Sequence, residues 1–160
     1  MPKSGIVPLT GSLSHLRRNN AAPSCVENVA GLILVKGGFV ISFTSKNGEV
    51  GLPAGIIDPG DADEWHTLAR EFEEESGQPM PDLFDTYWFI WRGHTLIIVG
   101  KTKDIVKVGS VDDGDGEVIE VSLQKISRMY AAAKGDADFH MRACAKKSFV
   151  AIVDFLKLMH

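Results

Sequence analysis

The chain has 160 residues, 44% of them hydrophobic and 24% charged, the proportions of an ordinary water-soluble globular domain. Seventeen basic residues against twenty-one acidic ones leave a formal charge of -4, too small a bias to signal a polyanionic partner. The longest apolar runs fall far short of the ~20 residues that a membrane span needs, and the first twenty residues lack an apolar core of signal-peptide length, so the expectation is a cytoplasmic protein with no membrane partner.

Domains most often run to about 100–150 residues, and a chain of this size can bury a core without staples. Cys25 and Cys144 lie far apart and make neither a CxxC nor a Cys/His spacing, as expected of two reduced thiols. Residues 1–24 mix Gly, Pro, Ser and Asn with scattered apolar side chains and no period. They read as an N-terminal arm with a short helical turn near residues 13–18, ahead of a single domain at 25–160. Residues 26–35 and 38–45 are β-rich runs split by Lys36-Gly37-Gly38, a hairpin signal, and Asn47-Gly48 marks a second turn.

Residues 61–76 carry a helical pattern, with Trp65, Leu68, Ala69 and Phe72 on one stripe. Asp61 or Asp63 is expected to cap its start, and Gly77 to end it in a left-handed conformation. Strands are expected at 86–92 and 95–102, with Gly93-His94 between them. An acidic, Gly-rich loop follows at 111–116, then a strand at 117–121, a short helix at 123–133 and a long amphipathic helix at 139–158. This order is too irregular for a doubly wound parallel sheet. It implies an α+β fold, a mixed sheet held between helices.

The richest chemistry lies in Arg70-Glu71-Phe72-Glu73-Glu74-Glu75-Ser76-Gly77. At about 100° per residue Glu71, Glu74 and Glu75 project from one side, with Leu68 and Phe72 on the other. A solvated glutamate-rich face is the commoner use of such a run. Two features oppose that use here. Like charges at i, i+4 cost a few tenths of a kcal/mol unless a cation sits among them, and hard divalent ions prefer carboxylate oxygen and bind together with phosphates. Upstream, Gly51-Leu52-Pro53-Ala54-Gly55 opens a glycine-punctuated loop that feeds the helix, the kind of backbone that approaches phosphate or metal closely. Arg70 is placed to pair with Glu74 four residues on.

The stretch from Gly55 to Gly77 resembles the Nudix box: Gly, five residues, Glu, seven residues, then Arg-Glu-apolar-X-Glu-Glu-X-Gly-apolar. Arg70, Glu71, Phe72, Glu74, Glu75 and Gly77 match in place. Asp61 stands where the family has Glu, eight residues separate it from Arg70, and Gln78 replaces an apolar residue. The resemblance implies the αβα sandwich of that family and a pyrophosphohydrolase dependent on Mg²⁺ or Mn²⁺. It implies Glu74 and Glu75 as principal metal ligands, Glu71 as a further ligand or base and the Ala54 carbonyl as a backbone ligand; Arg70, by its spacing, is expected to fix the orientation of Glu74 and is counted with the catalytic residues. Glu117 stands where some members place an additional ligand or base; Asp112, Asp113, Asp115 and Glu120 compete for that role.

The implied substrate is a nucleoside diphosphate linked to another moiety: a nucleotide, a dinucleoside polyphosphate, a nucleotide sugar or an RNA cap. The near-neutral charge disfavours long RNA. Gly55 and Ala54 are expected against the substrate. On the aromatic strand, Tyr87, Phe89 and Trp91 share one face and Trp88, Ile90 and Arg92 the other; Trp88 and Arg92 are expected at the substrate, although core or a homodimer contact is the commoner use of such aromatics. His66, Arg142, Lys146 and Lys147 read most simply as solvated surface, as do Arg17 and Arg18. The alternative to an enzyme is a Nudix-like module that binds or senses a nucleotide without cutting it, suggested by the altered box spacing.

Overall fold

The computed structural model describes residues 6–10, 18–19, 29–57, 60, 62–92, 95–112, 114–136 and 139–159. The described residues form one mixed sheet with helices on both faces. The strands are β1 (Ile6–Leu9), β2 (Val29–Lys36), β3 (Phe39–Ser45), β4 (Val50–Gly51), β5 (Ala54–Ile56), β6 (Phe84–Trp91), β7 (Thr95–Lys101), β8 (Gly109–Ser110) and β9 (Val118–Lys125). The helices are α1 (Glu64–Ser76), α2 (Ile126–Ala133) and α3 (Ala143–Leu156). Across the sheet the order is β1-β6-β7-β2-β3-β9-β8, with β4 added to β3 and β5 to β2. The β2·β7 pair is parallel and its neighbours are antiparallel, which is the mixed sheet expected. No described helix is long and apolar enough to cross a membrane.

Alternation along the central strands explains the layers. Leu32 and Leu34 of β2 join Leu96 and Ile98 of β7 under α1, whose Leu68 and Phe72 are fully buried. Ile33 and Val35 join Ile97 and Val99 on the opposite face, under Met129 of α2 and Phe149, Ile152 and Val153 of α3. Both faces are covered, so both sets of alternating positions are apolar.

Several boundaries differ from expectation. Ile6–Leu9, read as irregular arm, pair with Leu9 opposite Trp88 and Ile6 opposite Trp91, and Ile6 is wholly buried. A four-residue edge strand carries too little pattern to stand out from a Gly/Pro-rich lead-in. The expected turn at 13–18 and strand start at 26–28 lie outside the described residues, save Arg18. Residues 123–125 extend β9 rather than opening a helix, because Phe39, Val40 and Ile41 pair with them. The last helix starts at Ala143, not residue 139: Val50 donates to His140 O (2.8 Å) and Arg142 donates to Val50 O (2.7 Å), so residues 140–142 run alongside β4 instead. On α1 the buried stripe is rotated towards Glu64, Thr67 and Ser76, with Trp65 and Ala69 only half-buried.

Candidate metal and phosphate site

Helix α1 is fixed at both ends by local chemistry. Asp63 caps its start, its Oδ1 accepting from the His66 N–H (2.8 Å). Burial pushes the Asp63 carboxyl up, but the hydrogen bonds and charge of His66 outweigh it and hold the group below its usual range. His66 Nδ1 lies 2.6 Å from the same oxygen, so His66 braces the cap. Asp61 lies outside the described residues. Gly77 ends the helix at φ 74°, its N–H donating to Glu73 O (2.8 Å), as the sequence indicates. Gln78, the polar departure from the box, binds Lys107 backbone on both sides, donating to its carbonyl (2.8 Å) and accepting from its N–H (2.9 Å).

The glycine loop is locked onto the helix. Gly55 pairs with Ala30 in the sheet, and a Cβ there would lie 2.1 Å from Glu71 Cγ and 2.6 Å from its Cδ. Only glycine lets the Glu71 side chain occupy that space. Arg70 ties loop and helix together, donating to Ile56 O (3.3 Å), to Glu71 Oε1 (3.1 Å) and to Glu74 Oε2 (3.4 Å). The i, i+4 pair with Glu74 is the one the sequence predicts. The acidic loop closes the far end: Asp115 N–H donates to Glu74 O (2.9 Å), and a Cβ on Gly114 would meet Glu75 O at 2.5 Å.

Glu75 stands at the centre of the electrostatics. Burial above all, then the charges of Glu71 and Asp115, raises its carboxyl to about 8, against the opposing pull of Arg142. Its Oε1 is buried and accepts no hydrogen bond from a described residue. Glu71 is also raised, first by burial and then by Glu74, with Arg70 opposing. A hollow of about 380 Å³ is lined by Glu75, Glu117, Glu49 and Arg142. Glu117 lines the same hollow as Glu75 and pairs with Lys46 (3.2 Å). Asp112 instead borders a separate hollow beside Gln78, and Asp113 lies outside the described residues.

Among the described residues no three carboxylates form a ready-made group that could hold a metal ion, and Arg70 is hydrogen-bonded to both Glu71 and Glu74. The donor set nevertheless fits a hard divalent cation. It offers oxygen ligands only, mutually repelling carboxylates, and one buried oxygen without a partner.

A second hollow, of about 790 Å³, adjoins Ala54 and is floored by Leu32, Pro53, Trp91, Ile97 and Ala145. The structure does not bring Trp88 here; that ring packs on the α1 side, beside Trp65. Arg92 lines neither hollow, its guanidinium lying 4.8 Å over the Trp91 ring. The sequence reading missed Trp91 as a lining residue and took Arg142 for solvated surface. Trp91 is on the face opposite the one chosen, and nothing local reveals that Arg142 is laid along β4.

The NUDIX domain family model matches residues 17–142. The chain belongs to the Nudix family. Nudix hydrolases act on phosphoanhydride bonds and generally need divalent metal ions, and family membership makes this chain a hydrolase of that class. No curated protein sequence matches the chain. Among solved structures, a NUDIX hydrolase from Nitrosomonas europaea superposes with TM-score 0.53 at 14% identity, over 82% of this chain and 89% of that one. An Ap4A hydrolase from C. elegans superposes with TM-score 0.53 at 20% identity, over 82% and 98%. The NUDIX domain of Shewanella oneidensis NrtR, solved with ADP ribose, gives 0.51 at 14% identity, over 91% and 99%. At these identities the likeness is one of fold, and it agrees with the αβα sandwich expected.

Proposed function

We propose that this Nudix hydrolase cleaves a phosphoanhydride bond in a nucleoside diphosphate linked to another moiety, using Mg²⁺ or Mn²⁺. One observation carries the reading: beside the glycine loop, Gly55 makes room for the Glu71 side chain, and one turn on a buried Glu75 oxygen has no partner among the described residues. A buried acceptor left unpaired costs about 1–3 kcal/mol, and a cation there would remove that cost.

Glu74 and Glu75 would be the principal ligands, with Glu71 and the Ala54 carbonyl completing the set. When bound, the ion supplies charge neutralisation at the phosphate oxygens and a more acidic attacking water. Arg70 orients Glu71 and Glu74 through the hydrogen bonds already described. Glu117, which lines the same hollow as Glu75 and is paired with Lys46, takes the proton from the attacking water, a task that needs a carboxylate within hydrogen-bond reach. The water oxygen forms the new P–O bond as the bridging P–O bond breaks, and the departing phosphate leaves as an anion. The apolar hollow beside Ala54 receives the organic moiety, since flat apolar groups bind by stacking and area burial.

Small nucleotides suit this arrangement better than long RNA. The Ap4A hydrolase and the ADP-ribose complex among the solved relatives supply the first compounds to try. The test is incubation with ADP-ribose, a diadenosine tetraphosphate, nucleoside triphosphates and capped RNA, each with Mg²⁺ or Mn²⁺, followed by product masses. The expected result is metal-dependent release of a nucleotide from at least one small compound. Absence of turnover across the whole panel with both ions would overturn the reading.

A further inference from the structure

The two hollows share two lining residues, Leu52 and Arg142. A substrate whose phosphates face Glu75 and whose organic part lies against Trp91 must pass between them. Among the described residues lining either hollow, Arg142 is the single cation; the phosphate side otherwise offers Glu49, Glu75 and Glu117, and the organic side is apolar apart from Thr95 and Ser148. Ser148 is turned to the Ala145 carbonyl. An anion entering this junction therefore meets one positive charge of the protein's own.

Arg142 is also held in place. Its N–H bonds Val50 O (2.7 Å), and neighbouring Met141 is buried and bridges to Val50. A Cβ on Gly51 would lie 3.4 Å from Arg142 Cδ and 3.5 Å from its Cβ, so the stem runs along the glycine loop at van der Waals distance. The side chain is exposed, and its guanidinium has no ion pair or hydrogen bond with a described residue. A solvated arginine needs none of this anchoring.

We propose that Arg142 is a substrate-binding residue that grips the phosphate attached to the organic moiety, leaving the next phosphate to reach the carboxylates. Arginine suits the task because its planar fork matches phosphate oxygens with paired charge-assisted hydrogen bonds. The position of that grip sets which anhydride bond lies over Glu74 and Glu75. The inference rests on the pyrophosphohydrolase reading, but it makes a claim about binding that stands apart from turnover.

The test compares wild type, R142M and R142K for equilibrium binding of AMP and of adenosine in Mg²⁺, alongside KM and kcat on the best compound of the panel. Methionine keeps much of the stem and removes the charge; lysine keeps the charge. Wild type is expected to prefer AMP to adenosine, and R142M to lose about 10–100-fold in AMP affinity with adenosine binding unchanged. R142K is expected to recover part of the loss, and KM in R142M to rise by about the same factor while kcat stays within about threefold. Equal AMP affinity in wild type and R142M would overturn the proposal. So would absence of AMP binding by wild type, or a lower melting temperature in R142M with AMP and adenosine weakened alike. A wild type that binds AMP through Arg142 but cleaves nothing would sink the hydrolase reading alone.

Discussion

The hollow around Glu75 takes its acidic side chains from one helix, one turn and one loop, whereas the apolar hollow beside it needs Val29 from β2, Trp91 from β6 and Ala145 from α3. Only the carboxylate row of α1 is built by local geometry: a helix brings Glu71, Glu74 and Glu75, three and four apart, to one side whatever else the chain does, and Glu49 and Glu117 join Glu75 through the fold. The second hollow exists only once the sheet has placed its strands and α3 has docked on them. The helix carboxylates are therefore concentrated in a short segment, whereas shape recognition is dispersed. Substitutions should separate the two, with turnover lost at the first and substrate affinity changed at the second.

The largest effect is expected from Glu74→Gln or Glu75→Gln. Each should remove about 3–5 kcal/mol of transition-state stabilisation, roughly 10²–10⁴ in kcat; unchanged turnover by both variants at saturating Mg²⁺ would exclude this site. Next, Gly55→Ala puts a methyl where Glu71 now lies. Displacing one carboxylate by about an ångström should cost about 10²-fold in kcat/KM with the melting temperature little changed, and full activity would show that Glu71 is dispensable.

A third expectation concerns pH. The Glu75 carboxyl titrates near 8 in the folded chain and near 4.5 otherwise, so the folded state holds this proton more tightly. Its contribution to stability is complete below about pH 4.5 and is lost as pH rises through 8. Metal-free Glu75→Gln should therefore be more stable than wild type at pH 9 by on the order of 1–3 kcal/mol, after discounting for partial solvent exposure. The difference should vanish by pH 4. By the same linkage, Mg²⁺ affinity should climb from pH 6 to pH 8 by up to about tenfold per unit, because the ion displaces a proton; calorimetric titrations showing a flat profile would contradict the assignment of Glu75.

The smallest effects distinguish the two aromatic faces of β6. Ala145→Phe fills part of the apolar hollow and should raise KM for a nucleoside-linked substrate about tenfold while sparing Mg²⁺ binding. Trp88→Phe, on the α1 face, should leave kcat/KM within about twofold. The reverse ranking would place the organic moiety against Trp88 instead.

Glu71, Glu74, Glu75, Arg70 and the Gly77 stop were legible because helical spacing and a left-handed glycine are local facts. The central strands were legible through their alternation. Short elements were not: β1 has four residues, and its membership in the sheet depends on pairing with β6, which no local pattern announces. Residues 140–142 carry the apolar and basic character of a helix start, yet hydrogen bonds to Val50 draw them out of it. That diversion is what turns Arg142 from solvent-facing decoration into a residue at the junction of two hollows.

By itself, then, the sequence determined the carboxylate face and the loop that feeds it, because both arise from contacts within about thirty residues. Only the tertiary structure decided that Glu117 and Glu75 line one hollow, that Trp91 rather than Trp88 borders its neighbour, and that Arg142 lines both. Each of those outcomes depends on which strands pair and where α3 begins, and such long-range pairings are selected by burial of the whole sheet, not by the preferences of the residues concerned.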